Sequence, residues 1–166
     1  LINVGGHTAG SEFSLLEREP EIRHGREPSD DIKSKMVVVG YATELELAYR
    51  SLGAATMDAP FFQKMSHRSK VSFANLSAIS QNISNTTLNT IVSMAAQAPK
   101  AFDSSVSKKY IEIADNMSPL IKKISDAVGD TTLSGALNHT HVTSVVIAEP
   151  KIDQAKIDQA KIDQAK

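Results

Sequence analysis

The chain has 166 residues, a formal net charge of −1 at pH 7 and no cysteine. With 41% apolar and 22% charged residues, its composition excludes a wholly disordered chain and a bundle of membrane-spanning helices. The lack of cysteine excludes disulfides and thiolate metal ligands, and the near-zero net charge argues against a nucleic-acid-binding protein.

The first 35 residues are predicted to form a charged, extended arm. Four glycines and two prolines interrupt this segment, and twelve of its residues are charged. Glycine and proline end regular elements, and such a charged segment has little apolar surface to bury. We therefore expect residues 1–35 to lie outside the packed domain, which we place at residues 36–149.

Two short runs rich in β-branched residues are predicted to be strands. The first is residues 36–39, followed by Gly40, and the second is residues 142–147. Runs of this length and composition are typical of buried strands. Because a two-stranded pair alone is marginally stable, helices would have to cover it.

Between these runs the pattern is helical. Thr43 and Glu46 have the spacing of a capping box, and Pro60 is suited to the first turn of a second helix. Apolar residues then recur every three or four positions up to Pro99, with a slip in phase near residues 86–87. A further helix is predicted over residues 106–127, where the apolar spacing is that of a coiled-coil seam. The predicted fold is mainly α, a long helical hairpin or coiled-coil-like bundle with a small two-stranded β element.

Residues 71–99 contain no charged side chain. They comprise 14 apolar residues, 8 Ser or Thr, 6 Asn or Gln and one proline. The six amide side chains argue against a membrane span, since each would need a partner in hydrocarbon. Two interpretations remain: the helix is covered by other copies of the chain, or its Ser/Thr/Asn face is simply solvated.

Three asparagines of this segment, Asn75, Asn82 and Asn89, are spaced seven residues apart and could set the register between stacked copies. The interface predicted for such an assembly consists of apolar and amide side chains of the two long helices. Its residues are Asn75, Leu76, Ile79, Asn82, Ile83, Leu88, Asn89, Ile91, Ala95, Val106, Tyr110, Ile113, Met117, Leu120 and Ile124.

The sequence Tyr-Arg-Ser-Leu-Gly-Ala-Ala at residues 49–55, with the charge-poor helix that follows it, resembles R-body (killing-trait) proteins. The resemblance covers residues 37–98. At the position of the family's glutamine-rich run this chain has His-Arg-Ser-Lys, residues 67–70. The resemblance implies a subunit of a coiled bacterial ribbon that extends on a change of pH.

His139 and His141 form the only His-x-His pair. If residues 139–141 were a strand, both imidazoles would point to one side and could bind one metal ion. Exposed histidines without a metal are the more common state, and a pH switch is a third possibility. We predict no metal and no cofactor.

Five of the seven asparagines begin an Asn-x-Ser/Thr sequence, the acceptor pattern for N-glycosylation. They are Asn75, Asn82, Asn85, Asn116 and Asn138. This pattern keeps open a glycosylated surface antigen, although a helix rich in Ser, Thr and Asn explains it as well.

Residues 150–166 contain three copies of Lys-Ile-Asp-Gln-Ala. A five-residue step gives no continuous apolar stripe on a helix, so we expect a repetitive, fraying tail.

No nucleotide-binding or hydrolase motif is present. We predict a non-enzymatic structural or interaction protein that self-assembles as a homo-oligomer, such as a filament, particle or secreted-apparatus subunit. The alternatives are a soluble helical adaptor or regulatory module that binds a partner protein and the surface antigen. The sequence leaves localisation open between a cytoplasmic assembly and a secreted or particle-associated protein.

Overall fold

The protein is described by a computed structural model over residues 28–55, 60–99, 106–128 and 130–140. These residues form four α-helices and one 3-10 turn. The helices are α1 (Asp30–Ala54), α2 (Pro60–Asn82), α3 (Thr86–Ala95) and α4 (Ser107–Asp126), and the 3-10 turn is Ala136–His139. The mainly helical class is confirmed, and no strand occurs within the described ranges.

Helix α1 begins earlier than predicted and includes the first predicted strand. The side chain of Ser29 accepts a hydrogen bond from the Ile32 amide, and two acidic residues occupy the first turn, where they favour the helix dipole. The strand assignment for residues 36–39 is therefore wrong, and residues 30–35, at the end of the predicted arm, belong to α1. Val38 is buried at helical spacing from Ala42, and packing of this kind overrides the weak strand preference of valine. Residues 142–147 lie outside the described residues.

Thr43 lies in the middle of α1 rather than at its start. The capping-box spacing of Thr43 and Glu46 is therefore accidental in this helix. The true start, Ser29 followed by two aspartates, has the ordinary features of a helix N-terminus.

The predicted long helix is two helices. α2 begins at Pro60, as expected, and ends at Asn82. After three residues α3 begins, with Asn85 as its N-cap: the Asn85 Oδ1 accepts a hydrogen bond from the Leu88 amide at 2.8 Å. The break falls where the apolar spacing slips in phase.

Helix α1 is the centre of the bundle. It packs against α4 and against α2, whereas α2 and α4 share no extensive contact; α3 packs on both α4 and α2. The predicted hairpin between the charge-free helix and the seam helix is therefore not the main packing, and a coiled coil is not supported. A regular apolar seam shows that a helix has one buried face, but it does not show which helix covers that face.

The core is continuous through the four helices and the 3-10 turn. Leu45 and Leu52 of α1, Leu76 of α2, Ile91 of α3 and Met117 of α4 are all fully buried. Burial of apolar surface from every element is the main force that holds the bundle together.

Candidate protein-interaction surface

The charge-free segment lies in α2 and α3 and has one side in the core. Most of the residues predicted to form an interface between copies are instead buried in the core of the single chain. Ten are buried: Asn75, Leu76, Ile79, Leu88, Ile91, Ala95, Tyr110, Ile113, Met117 and Ile124. Ile83, Val106 and Leu120 are half-buried against the same core, and Asn82 and Asn89 are exposed.

The other side of this segment is exposed and uncharged. On α3 the exposed residues recur at helical spacing, and they continue through the break to the end of α2. We call these side chains the uncharged face: Gln81, Asn82, Ser84, Thr86, Asn89, Ser93 and Gln97. Apart from Asn82 and Asn89, the sequence analysis did not identify these residues as surface residues. Their spacing along the sequence from the apolar positions would have placed them on the opposite side of each helix.

The polar groups of the uncharged face are only partly used within the chain. The Ser80 hydroxyl donates to Asn89 Oδ1 at 3.0 Å and so links α2 to α3. Asn82 Nδ2 donates to the carbonyl of Ala78 at 2.8 Å, and Gln97 Nε2 to that of Ser93 at 3.3 Å. Within the described residues, Asn82 Oδ1 and Asn89 Nδ2 form no hydrogen bond, and both asparagines are exposed.

The three asparagines spaced by seven residues do not form one exposed row. Asn75 is 1% exposed, and its Nδ2 donates to the carbonyl of Val71 within α2. Asn82 lies at the end of α2, and Asn89 lies beyond the break, in α3. Only Asn82 and Asn89 are therefore available at the surface.

Charged side chains cluster on other parts of the bundle. Arg50 of α1 donates to Glu46 and, at 2.6 Å, to Asp115 of α4. These two carboxylates, Asp115 first, raise the pKa of Arg50. Arg68 donates to Glu44 at 2.9 Å and links α2 to α1. These ion pairs are typical of a solvated helix surface, in contrast to the uncharged face.

Two buried tyrosines lie between α1 and the α3–α4 side of the bundle. The rings of Tyr49 and Tyr110 are 5.5 Å apart, and the Tyr49 hydroxyl donates to the carbonyl of Ala95 at 3.1 Å. Burial raises the pKa of both phenols. A neutral, hydrogen-bonded phenol of this kind stabilises the core and has no free group for chemistry.

The histidine pair is not a strand in the part of the chain that the structure describes. His139 ends the 3-10 turn, and His141 lies outside the described residues. Among the residues described, no group of three or more His, Asp or Glu side chains is placed to hold a metal ion. Within the same ranges, no helix is long and apolar enough to cross a membrane.

The five Asn-x-Ser/Thr sequences differ in accessibility. Asn75 and Asn85 are buried and engaged in hydrogen bonds, so a glycan on either side chain would require the helices to separate. Asn82, Asn116 and Asn138 are exposed. The surface-antigen alternative is therefore restricted to these three positions.

Comparison of the chain with protein-family models, curated proteins and solved structures found no match. The R-body resemblance stays a prediction.

Proposed function

We propose that the chain is a non-enzymatic structural or interaction protein that associates with further copies of itself through the uncharged face. Such a protein would be a subunit of a filament, a particle or a secreted apparatus. The observation that carries the proposal is the exposure of Gln81, Asn82, Thr86, Asn89 and Ser93 in a segment of 29 residues without a charge.

The physical argument concerns desolvation. A folded monomer gains solubility from charges on its outer helix faces, and the rest of this bundle has them. Removing a charged side chain from water is expensive, whereas an amide or hydroxyl loses little if it finds a hydrogen bond. The centres of protein–protein interfaces are correspondingly depleted in charged residues. The unpaired Asn82 Oδ1 and Asn89 Nδ2 are an acceptor and a donor that a second copy could satisfy.

The same face could bind a different protein, which is the adaptor alternative. It rests on the same amides and hydroxyls and differs in one expected property: the purified chain would be a stable monomer at high concentration. The two alternatives are therefore separated by the oligomeric state rather than by the location of the surface.

The test places a charge in the uncharged face. Ser93→Lys adds a lysine to exposed α3, and Ser125→Lys adds one to exposed α4 as a matched control. We expect light scattering of the full chain to show concentration-dependent association that Ser93→Lys weakens at least about tenfold and Ser125→Lys leaves unchanged. A monomer at all concentrations would contradict self-association, and equal effects of both substitutions would contradict the assignment of the face.

A further inference from the structure

We infer that α2 separates from α1 as a unit before the rest of the bundle unfolds, and that the α1 surface so uncovered binds the α2 of a second copy. The second step rests on the proposed function in that both require copies to associate, but it uses the contact between α1 and α2 rather than the uncharged face. The first step stands on the structure of the single chain.

The first observation is the set of buried polar atoms without a partner. Six side-chain atoms in the described residues are of this kind, and five of them belong to α2: Gln63 Oε1, His67 Nδ1, Ser72 Oγ, Asn75 Oδ1 and Ser77 Oγ. Ser72 and Asn75 are at most 1% exposed. A buried polar atom that has lost water and gained no hydrogen bond destabilises the packed state. When α2 opens, water can bond all five atoms. The free-energy cost of opening is therefore lower than for an otherwise similar contact made only of apolar side chains.

The second observation is how few polar contacts join α2 to α1. Arg68 with Glu44, at 2.9 Å, is the one side-chain hydrogen bond or ion pair between these helices among the described residues. Both side chains are about one-third exposed, and solvent-exposed pairs contribute little.

Two side-chain bonds rather than one join α1 to α4 and the residue after it, although the Arg50–Asp115 pair is at least as exposed as Arg68–Glu44. Arg50 bonds Asp115 at 2.6 Å, and Lys35 Nζ donates to the carbonyl of Ala127, just after α4, at 2.7 Å. Gly53 allows α1 to pass close to α4. The pair α1–α4 is therefore expected to stay packed when α2 leaves.

The third observation is the arrangement of the bundle. Because α2 and α4 share no extensive contact, α2 can leave α1 without disturbing α4, but it gives up its packing on α3 and the 3-10 turn and the Ser80–Asn89 hydrogen bond. Helix α3 keeps its own links, since the Tyr49 hydroxyl bonds the Ala95 carbonyl and Asn85 Nδ2 donates to Thr132 Oγ1 at 2.7 Å. The opening unit therefore ends near the break before Asn85.

The opened α1 presents an apolar surface. Val37, Tyr41 and Ala48 lie seven, three and four positions from Glu44 respectively. At these spacings they share the face of α1 from which Glu44 bonds Arg68 of α2. The segment known to fit this face is α2 itself, so a second copy supplies a matched occupant by exchange of an identical element. In such an exchanged pair, Leu76 and Ile79 would make contacts between chains, in agreement with their predicted place in an interface.

The opening is tested by hydrogen exchange of the full chain, read by mass spectrometry at low protein concentration. We expect amides in the middle of α2 to exchange at least roughly tenfold faster than those of α1 and α4. Ser72→Ala removes one unpaired hydroxyl and should slow exchange in α2 selectively, while Ser125→Ala on exposed α4 should not. Equal protection of α2 and α4 would overturn the opening.

The exchange is tested by cross-linking, for which the absence of native cysteine is an advantage. One variant carries Glu44→Cys with Arg68→Cys across α1–α2, and its control carries Arg50→Cys with Asp115→Cys across α1–α4. Each is treated with a short bismaleimide at high concentration. We expect covalent dimers from the first variant and links within one chain from the control.

Light scattering on the same samples separates the two proposals. If oligomers are present but the α1–α2 variant links only within one chain, helix exchange is wrong and the proposed function stands. If only monomers are present, the proposed function fails together with the exchange, while the hydrogen-exchange result still decides whether α2 opens. Covalent dimers from both variants would also overturn helix exchange.

Discussion

Gly53 lies where α1 passes close to α4. A β-carbon built at this position would lie 2.6 Å from Cδ1 and Cγ1 of Ile111 and 2.9 Å from the carbonyl oxygen of Ser107. From sequence, Gly53 is only a weak point in a helix, because glycine has a low helix propensity. The structure gives it a positive role, which is to let two helices approach.

We predict that Gly53→Ala destabilises the protein by about 1–3 kcal/mol, because the clash with Ile111 and the Ser107 carbonyl outweighs the gain in helix propensity. Gly40→Ala is the matched control: it lies in the same helix with no atom near the new β-carbon, and should stabilise by about 0.5–1 kcal/mol. Urea unfolding followed by circular dichroism measures both. A stabilising Gly53→Ala would show that α1 and α4 are not closely packed there.

At the scale of elements, Asn85 decides where one helix stops and the next starts. Its Oδ1 caps α3 through the Leu88 amide, and its Nδ2 reaches Thr132, in the segment before the 3-10 turn. Asn85 is 7% exposed, so both bonds are shielded from water. The sequence pattern showed a slip in phase near residues 86–87 but was interpreted as one helix up to Pro99, and only the structure shows Asn85 beside Thr132 at a break.

We predict that Asn85→Ala lowers the free energy of unfolding by about 1–3 kcal/mol, since it removes a helix cap and leaves buried groups without a partner. Asn85→Asp keeps an oxygen acceptor at the positive end of α3 and should cost less than about 1 kcal/mol. Asn82→Ala, at an exposed site, should change stability by no more than about 0.5 kcal/mol. Chemical denaturation compares the three, and equal losses in Asn85→Ala and Asn85→Asp would argue against the capping role.

At the scale of the whole molecule, all three tyrosines support the packed bundle in their neutral form. Burial, the largest cause in each case, raises the pKa of Tyr41, Tyr49 and Tyr110 above the ordinary value of 10.0. The unfolded chain therefore releases these phenolic protons at lower pH than the folded chain does. Their contribution to stability is fully present below the unfolded pKa and is lost as the pH rises through the folded values.

We predict that the urea midpoint is insensitive to the tyrosines below about pH 9 and falls increasingly above about pH 10. Tyr49→Phe should make this alkaline decline shallower, at the expense of about 0.5–1.5 kcal/mol near neutral pH for the lost bond to the Ala95 carbonyl. Tyrosinate absorbance is a direct readout, because the chain has no tryptophan. Ionisation of all three phenols near their ordinary pKa in the folded chain would contradict the burial.

Some of this architecture was predictable because it depends on local patterns. Pro60 marked the start of α2, and the apolar spacing from Tyr110 to Ile124 located α4 within a residue or two. Residues 36–39 failed because a short run of β-branched residues is ambiguous between strand and buried helix. The surface was harder still: the lack of charge in residues 71–99 was visible, but which side of each helix faces outward depends on its neighbours.

The sequence by itself determined the helical class, most helix positions in the described residues and the existence of a long segment without charge. These follow from spacing and composition, which act over a few residues. Only the tertiary structure decided that α1 is central, that most of the predicted interface residues lie in the chain's own core, and that Gln81, Asn82, Asn89 and Ser93 form the outward side. Partner choice between helices depends on shape and burial across distant parts of the chain, and a one-dimensional pattern does not specify it.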